Sequence, residues 1–280
     1  MNAPTPLELP TPSRTLCQAA GQAIRDFDLI RDGDRVLVGL SGGKDSMSLL
    51  LTLRHLQRRA PVRFDLAAAT VDPEMRGFDP APLVPYLERL GIPYFVERYN
   101  MVRAAKQGFS GRSLCSFCSR LRRGKLYRLA RDHGYNSLAI GHHLDDAAET
   151  FLMSSFYGGK LRTMRAAYLN DDGDIRVIRP LIYARERQTT AFAERAGLPL
   201  IQDNCPSCDA KPTQRNRMKT LLADMEAEHH HLFANLKNAL KPLLEQDLVP
   251  RAGIEPRGGR RDDDDAQPLR FMSQPVTSLR

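Results

Sequence analysis

Short apolar runs alternate with helix-length segments over the first half of the chain, and this alternation constrains the fold most strongly. Residues 35–40 form an apolar run typical of a buried parallel strand, which two glycines end. Further strands are predicted at 64–71, 94–97 and 137–140, and helices at 15–29, 46–56, 81–90, 120–133 and 145–156. This order predicts an α/β fold with a doubly wound parallel sheet.

The rest of the chain predicts a helical C-terminal extension and two polar ends. Residues 178–241 are mostly helical in pattern, and we expect them to pack on the sheet domain. Both termini are rich in Pro, Gly and charge. The predicted organisation is a disordered start over 1–13, one domain over 14–241 and a disordered tail over 242–280.

Charge and hydropathy indicate a cytoplasmic protein with a polyanionic partner. No run approaches the about eighteen apolar residues of a membrane helix, and the N-terminus has no signal-peptide stretch. The 280 residues carry a formal charge of +8. The basic residues cluster at 120–125 and at Lys160, Arg162 and Arg165, which favours RNA, with a solvated helix face as the alternative for the first cluster.

Four of the five cysteines form two Cys-x-x-Cys pairs. Cys205 of the pair Cys205 and Cys208 lies 87 residues after Cys118, which pairs with Cys115. In a reducing compartment such pairs bind metal or do redox chemistry more often than they form disulfides. The spacing allows either a closed zinc site or an iron–sulfur cluster.

A phosphate-binding loop is predicted between the first strand and the helix that follows it. It consists of Ser41, Gly42, Gly43, Lys44, Asp45 and Ser46. Glycines that permit close approach, a helix N-terminus and a lysine together form a cradle for phosphate oxygens. The motif is not a Walker A loop, since its first glycine is missing.

A second polar loop follows the strand at 137–140. Gly141 and His142 precede a helix whose start carries Asp146 and Glu149, spaced to share one helical face. Spacing alone allows a metal site or a solvated helix start. Because both loops lie at the carboxyl ends of parallel strands, they should face one site.

The Ser-Gly-Gly-Lys-Asp-Ser segment resembles the PP-loop of the ATP pyrophosphatases. With the two cysteine pairs, Gly141–Asp146, Phe156-Tyr-Gly-Gly-Lys160 and Arg179-Pro-Leu-Ile-Tyr183, residues 15–241 resemble the tRNA 2-thiocytidine synthetases. The resemblance implies that ATP, with the Mg²⁺ that it carries, binds at residues 41–46, Gly141, His142 and Asp146, and it leaves open which acid binds the Mg²⁺. Lys44 and Asp45 are then catalytic.

The same resemblance implies a 4Fe-4S cluster held by Cys115, Cys118 and Cys208. The sequence leaves open whether Cys205 or Cys208 is the third ligand. ATP would adenylate the C2 oxygen of a cytidine in the tRNA anticodon loop, and sulfide carried on the cluster would replace that oxygen. A cysteine desulfurase would supply the sulfur. The family indicates a homodimer only weakly.

Two other functions fit the same residues. One is a PP-loop ligase that adenylates a carboxylate or another RNA base and holds structural zinc in its cysteines. The other is a non-catalytic iron–sulfur RNA-binding protein with a vestigial ATP site. The intact phosphate-binding motif argues against the second.

Overall fold

A six-stranded sheet organises the chain in the computed structural model, which describes residues 10–75, 77–108, 114–201 and 213–245, without the side chains of 102, 106–108 and 114–116. The strands are β1 (Arg35–Gly39), β2 (Asp65–Asp72), β3 (Tyr94–Arg98), β4 (Ser137–Ala139), β5 (Ala167–Leu169) and β6 (Arg176–Ile178). The helices are α1 (Arg14–Asp26), α2 (Lys44–Gln57), α3 (Leu83–Arg89), α4 (Met101–Gly108), α5 (Leu114–Asp132), α6 (Leu144–Gly158), α7 (Glu186–Ala196), α8 (Gln214–Glu228) and α9 (Leu232–Leu244).

The strand order is β3-β2-β1-β4-β6-β5, and every neighbouring pair is parallel except β5 with β6. Strand order reverses between β1 and β4, so the topological switch point lies between these two strands. The predicted doubly wound fold is confirmed. The antiparallel edge pair was not predicted, because strands of three residues are too short to show a period-two pattern.

Alternate residues of the central strands enter separate hydrophobic cores on the two faces of the sheet. Val36 and Val38 of β1 join a core with α1, α2 and α7, whereas Leu37 joins a core with Leu126 and Leu129 of α5. Strands buried on both faces read as continuous apolar runs, which is why β1 and β2 were recognisable from sequence.

Helix α5 is longer than predicted and includes the first cysteine pair. It begins at Leu114, whereas the sequence placed a helix from residue 120. Residues 114–120 contain no Gly or Pro to end a helix, so the helix continues through them. Cys115 and Cys118 are therefore helical residues three positions apart.

The C-terminal helices pack on the sheet domain. Helix α7 contacts α2, while α8 and α9 contact α6. Of the predicted polar ends, residues 1–9 and 246–280 lie outside the described residues. No helix in the described ranges is long and apolar enough to cross a membrane.

A buried ion pair and a neighbouring asparagine join the amino-terminal ends of β1, β4 and β6. Arg176 of β6 reaches Asp34, just before β1, with Nη2 2.6 Å from Oδ2, and both side chains are 9% exposed. Asn136, just before β4, donates to the other Asp34 oxygen and accepts from the Arg35 backbone. These contacts fix the relative register of β1, β4 and β6.

Replacing Asp34 by Ala should lower the free energy of unfolding by about 3–5 kcal/mol, because it leaves the buried Arg176 guanidinium without a counter-charge. Urea denaturation measures the change. Asp65→Ala is the matched control, since its pair with Arg35 is exposed and should contribute less than about 1 kcal/mol. Equal losses in the two variants would contradict the assignment.

Candidate functional site

The loop after β1 is folded around Ser46 and leads into the first turn of α2. Ser46 Oγ accepts from the Ser41 backbone nitrogen at 3.2 Å and donates to the Gly43 carbonyl oxygen at 2.9 Å. Gly43 has no side chain that could cap α2, so the first backbone N–H groups of the helix remain for a ligand. The loop therefore has the geometry of an anion-binding helix N-terminus.

Two features of position 42 require a glycine. Its φ is 86°, in the left-handed region, and a Cβ at this position would lie 2.4 Å from the Ile201 Cβ. The Ile201 backbone nitrogen also donates to the Gly42 carbonyl at 2.9 Å. Ile201 thus supports the loop from below, at the point where the described chain stops before residue 202.

The loop after β4 packs directly against the start of α2. A Cβ at Gly141 would lie 3.0 Å from the Asp45 carbonyl carbon and from the Ser46 nitrogen, so glycine permits this approach. His143 caps α6: its Nδ1 accepts from the Asp146 backbone nitrogen, and the Asp146 carboxylate accepts from the His143 nitrogen. The two loops form one continuous surface.

His142 is held as a neutral hydrogen-bond acceptor. Arg179 Nε donates to its Nδ1 at 3.0 Å, which places the ring proton on Nε2. Burial, and then the positive charge of Arg179, hold the pKa of His142 well below its ordinary value. The ring can therefore donate a hydrogen bond from Nε2 at neutral pH.

Lys44 is positioned by carboxylates from two helices. Its Nζ lies 2.9 Å from Asp45 Oδ2 and 3.0 Å from Glu186 Oε1. Burial lowers the pKa of Lys44, but these two partners outweigh burial and the pKa lies above its ordinary value. Glu186 also accepts from Lys219, and Thr189 donates to Asp45. Although burial raises the pKa of Glu186, its two lysines bring it down to about 2.

The acids at the start of α6 are all paired with cations. Asp145 accepts from Arg185 Nε at 3.1 Å and from the first backbone N–H of α7 at 2.7 Å. Arg215 Nη1 reaches Asp146 Oδ1 at 3.0 Å and Glu149 Oε2 at 3.2 Å. These contacts tie α7 and α8 to α6.

The N-termini of α2, α6 and α7 meet at this site. The contacts of Gly141 with Asp45, of Lys44 with Glu186, and of Asp145 with Arg185 join them pairwise. Each helix start carries a partial positive charge, and three together favour an anionic ligand. The arrangement suits the phosphates of a nucleotide.

The predicted metal ligands are only partly described. Cys118 is half-buried on α5, while the side chain of Cys115 and all of Cys205 and Cys208 lie outside the described residues. Within the described ranges, no three side chains of His, Cys, Asp or Glu are grouped to hold a metal ion.

The basic residues of α5 do not all face one way. Arg120 is exposed, and Arg123 donates to the Tyr168 hydroxyl at 3.3 Å. Lys125 instead lies 2.9 Å from Glu97 on β3, so its charge is paired within the fold.

Sequence reasoning did not find Glu186, Thr189 or Arg215. Glu186 lies 142 residues from Lys44, and no local pattern indicates contacts over such separations. A weak signal existed, since Glu186 follows an apolar run and starts a helix.

Glu149 should make the stability of the protein depend on pH. Burial raises its pKa from 4.5 to about 7, although Arg215 opposes the shift. Because the folded state then holds a proton that the unfolded state releases, stability falls as pH rises from 4.5 to about 7. Glu149→Gln mimics the protonated form and does not titrate. Its stability relative to that of the wild type should therefore rise as pH rises across this window.

Urea midpoints of both proteins, measured with a chelator present, test this dependence. Exposed Glu228→Gln is the control and should follow the wild type. A stability difference between Glu149→Gln and wild type that stays constant across the window would contradict the raised pKa.

Known proteins resemble the chain over most of its length. A family described as a PP-loop domain matches residues 13–226. A tRNA-cytidine(32) 2-sulfurtransferase of Pelobacter propionicus is 43% identical over 243 residues, covering 84% of this chain and 90% of the relative. One of the same name from Geobacter sulfurreducens is 44% identical over 225 residues, covering 79% and 87%.

A solved structure has the same fold. The U34-tRNA thiolase NcsA from Methanococcus maripaludis, with its [4Fe-4S] cluster, matches with a TM-score of 0.66 and 24% identity, over 82% of this chain and 78% of that chain. At this identity the likeness concerns the fold alone. The family match and the two sequence relatives confirm the resemblance: the chain belongs to the tRNA-cytidine(32) 2-sulfurtransferase family of PP-loop proteins.

Proposed function

We propose that this protein is an ATP-dependent enzyme that converts a cytidine in the tRNA anticodon loop to 2-thiocytidine. The observation that carries the proposal is the uncapped N-terminus of α2, with Lys44 beside it and the loop of Gly141 packed against it. The names of the relatives supply the RNA substrate and the sulfur transfer.

The first chemical step is adenylation of the cytidine. Its C2 oxygen attacks the α-phosphorus of ATP, a P–O bond forms, and the bond to pyrophosphate breaks. Backbone N–H groups of residues 43–46 and the charged Lys44 stabilise the negative charge that grows on the pyrophosphate. Asp45 is then a positioning residue, because Lys44 and Thr189 both contact its carboxylate.

The second loop would contact the same phosphates. Neutral His142 can donate from Nε2 to a phosphate oxygen. ATP brings Mg²⁺, a cation that takes carboxylate oxygens as ligands. We assign Asp146 to it, since its side chain is 20% exposed against 5% for Glu149.

The donor set fits an iron–sulfur cluster held by Cys115, Cys118 and Cys208. The first two lie three positions apart on α5. The second pair belongs to 202–212, and the chain on either side of this range is anchored at the site, by Ile201 on Gly42 and by Arg215 on Asp146. Thiolates are the ordinary ligands of such clusters.

When bound, the cluster would supply the sulfide that replaces the adenylated oxygen, with AMP as the leaving group. The role of the chain is to hold the base, the nucleotide and the sulfur source in one geometry. We further propose that a cysteine desulfurase delivers the sulfur.

Lys44→Ala should lower the rate of tRNA-dependent pyrophosphate release by about a hundredfold or more, because it removes a charge from the phosphate cradle. Lys219→Ala is the matched control, since Lys219 contacts the same Glu186 from α8 without belonging to the loop. A pyrophosphate assay on both variants gives the comparison. Comparable losses would mean that Glu186, and not the cradle, sets the rate.

Cys118→Ala should lose the iron–sulfur absorption and the thiolation of tRNA while it still releases pyrophosphate. Anaerobic purification, iron and sulfide analysis and mass spectrometry of digested tRNA measure the effects. Cys17 is a half-buried cysteine on α1, and Cys17→Ala is the control. It should keep the iron–sulfur absorption, the thiolation of tRNA and the release of pyrophosphate. A colourless wild type with bound zinc would instead support the adenylating ligase.

A further inference from the structure

Three exposed apolar side chains occur at the end of α6 and just after it, and the proposed chemistry does not use them. Phe156, Tyr157 and Leu161 are 59%, 56% and 72% exposed, the highest values among the large apolar side chains of the described residues. Single exposed apolar residues are ordinary, but three within six positions form a patch.

The chain after this patch runs back to the nucleotide site. Gly159 ends α6 in a left-handed conformation, with φ 60°. Thr163 then donates to the carbonyl of Ala147, near the start of α6, at 2.6 Å. The Arg165 carbonyl accepts from Arg179, the residue that holds His142. Residues 159–165, here the return segment, therefore join the aromatic patch to the site.

The return segment is purely cationic. It contains Lys160, Arg162 and Arg165, and no Asp or Glu occurs from Thr150 to Asn170. Lys160 and Arg165 are exposed. Arg123 of α5 is linked to this segment through Tyr168: it donates to the Tyr168 hydroxyl, and Arg179, which holds the Arg165 carbonyl, lies over the Tyr168 ring.

Aromatic rings flanked only by cations fit single-stranded nucleic acid. Unpaired bases stack on exposed rings, while Lys and Arg neutralise the phosphates between them. A second copy of this chain fits less well, because a two-fold contact through the patch would oppose two segments of like charge.

We propose that Phe156 and Tyr157 form a stacking platform for unpaired bases of the RNA substrate, with the return segment guiding the phosphates toward the site. This inference rests on the proposed function for the identity of the RNA. Helix α6 has 15 residues and spans about 20 Å, so the platform would hold bases other than the one modified.

The experiment compares binding of an anticodon stem-loop, carrying 2-aminopurine in its loop, with binding of the same strand annealed to its complement. In the double variant Phe156→Ala/Tyr157→Ala, affinity for the loop should fall about tenfold or more, since stacking accounts for that much per base. Affinity for the duplex should be nearly unchanged. Stacking on the wild-type rings should quench the fluorescence of 2-aminopurine in the loop, and this quenching should be lost in the variant.

Two further double variants separate stacking from general apolar contact. Phe156→Tyr/Tyr157→Phe keeps both rings and should bind the loop as the wild type does. Phe156→Leu/Tyr157→Leu keeps apolar side chains without rings and should bind as weakly as the alanine variant. Val84→Ala, an exposed apolar position on α3, is the control and should change nothing.

Wild-type binding by the leucine variant, or equal losses for loop and duplex, would overturn the platform. A change from dimer to monomer at unaltered RNA affinity would also overturn it and make the patch a subunit contact. Binding is measured without ATP and so does not depend on the proposed reaction. If the alanine variant loses loop binding but the wild type never thiolates tRNA, the proposed function is rejected and the platform is kept.

Discussion

The parallel pairing of β1 with β4 is the constraint on which the site depends. After β1 the chain continues to β2 and β3 on one side of the sheet, and after β4 it continues to β5 and β6 on the other side. The loops that follow β1 and β4 therefore open side by side. Gly141 then allows one loop to rest on the first turn of the helix that begins at the other. At the far ends of the same strands, Asn136 joins β4 to Asp34 and Arg35 of β1, and Arg176 pairs Asp34 with β6. A slip in register there would separate the two loops.

A second group of residues holds the site in shape without being part of either loop. Glu186, Arg185 and Arg215 come from helices late in the chain, and each contacts a charged side chain at the start of α2 or α6. The C-terminal helices therefore contribute geometry to the site as well as cover for the sheet. Catalytic arrangements depend on such supporting contacts to keep their working groups in place.

The sequence predicted the features that depend on local pattern. Buried strands, glycine turns and helix starts placed 41–46 and 141–146 at one edge of a parallel sheet, because strand direction alone determines where their ends lie. It could not predict that Glu186 would hold Lys44, or that Lys125 would turn to Glu97, since both depend on packing between distant helices. The start of α5 was missed because the predicted helix was begun at residue 120, after the first cysteine pair.

Residues 46–53 of α2 are buried without interruption, so the middle of this helix is surrounded by protein on all sides. Water and mobile ions reach its axis poorly, and the field at its N-terminus is weakly screened. The exposed cations of α5 and the return segment act through solvent, where salt shortens their range to about 8–10 Å. The chain therefore presents two electrostatic environments: one at the N-terminus of α2, which suits the proposed phosphates, and one whose attraction for a polyanion varies with the ionic strength of its surroundings.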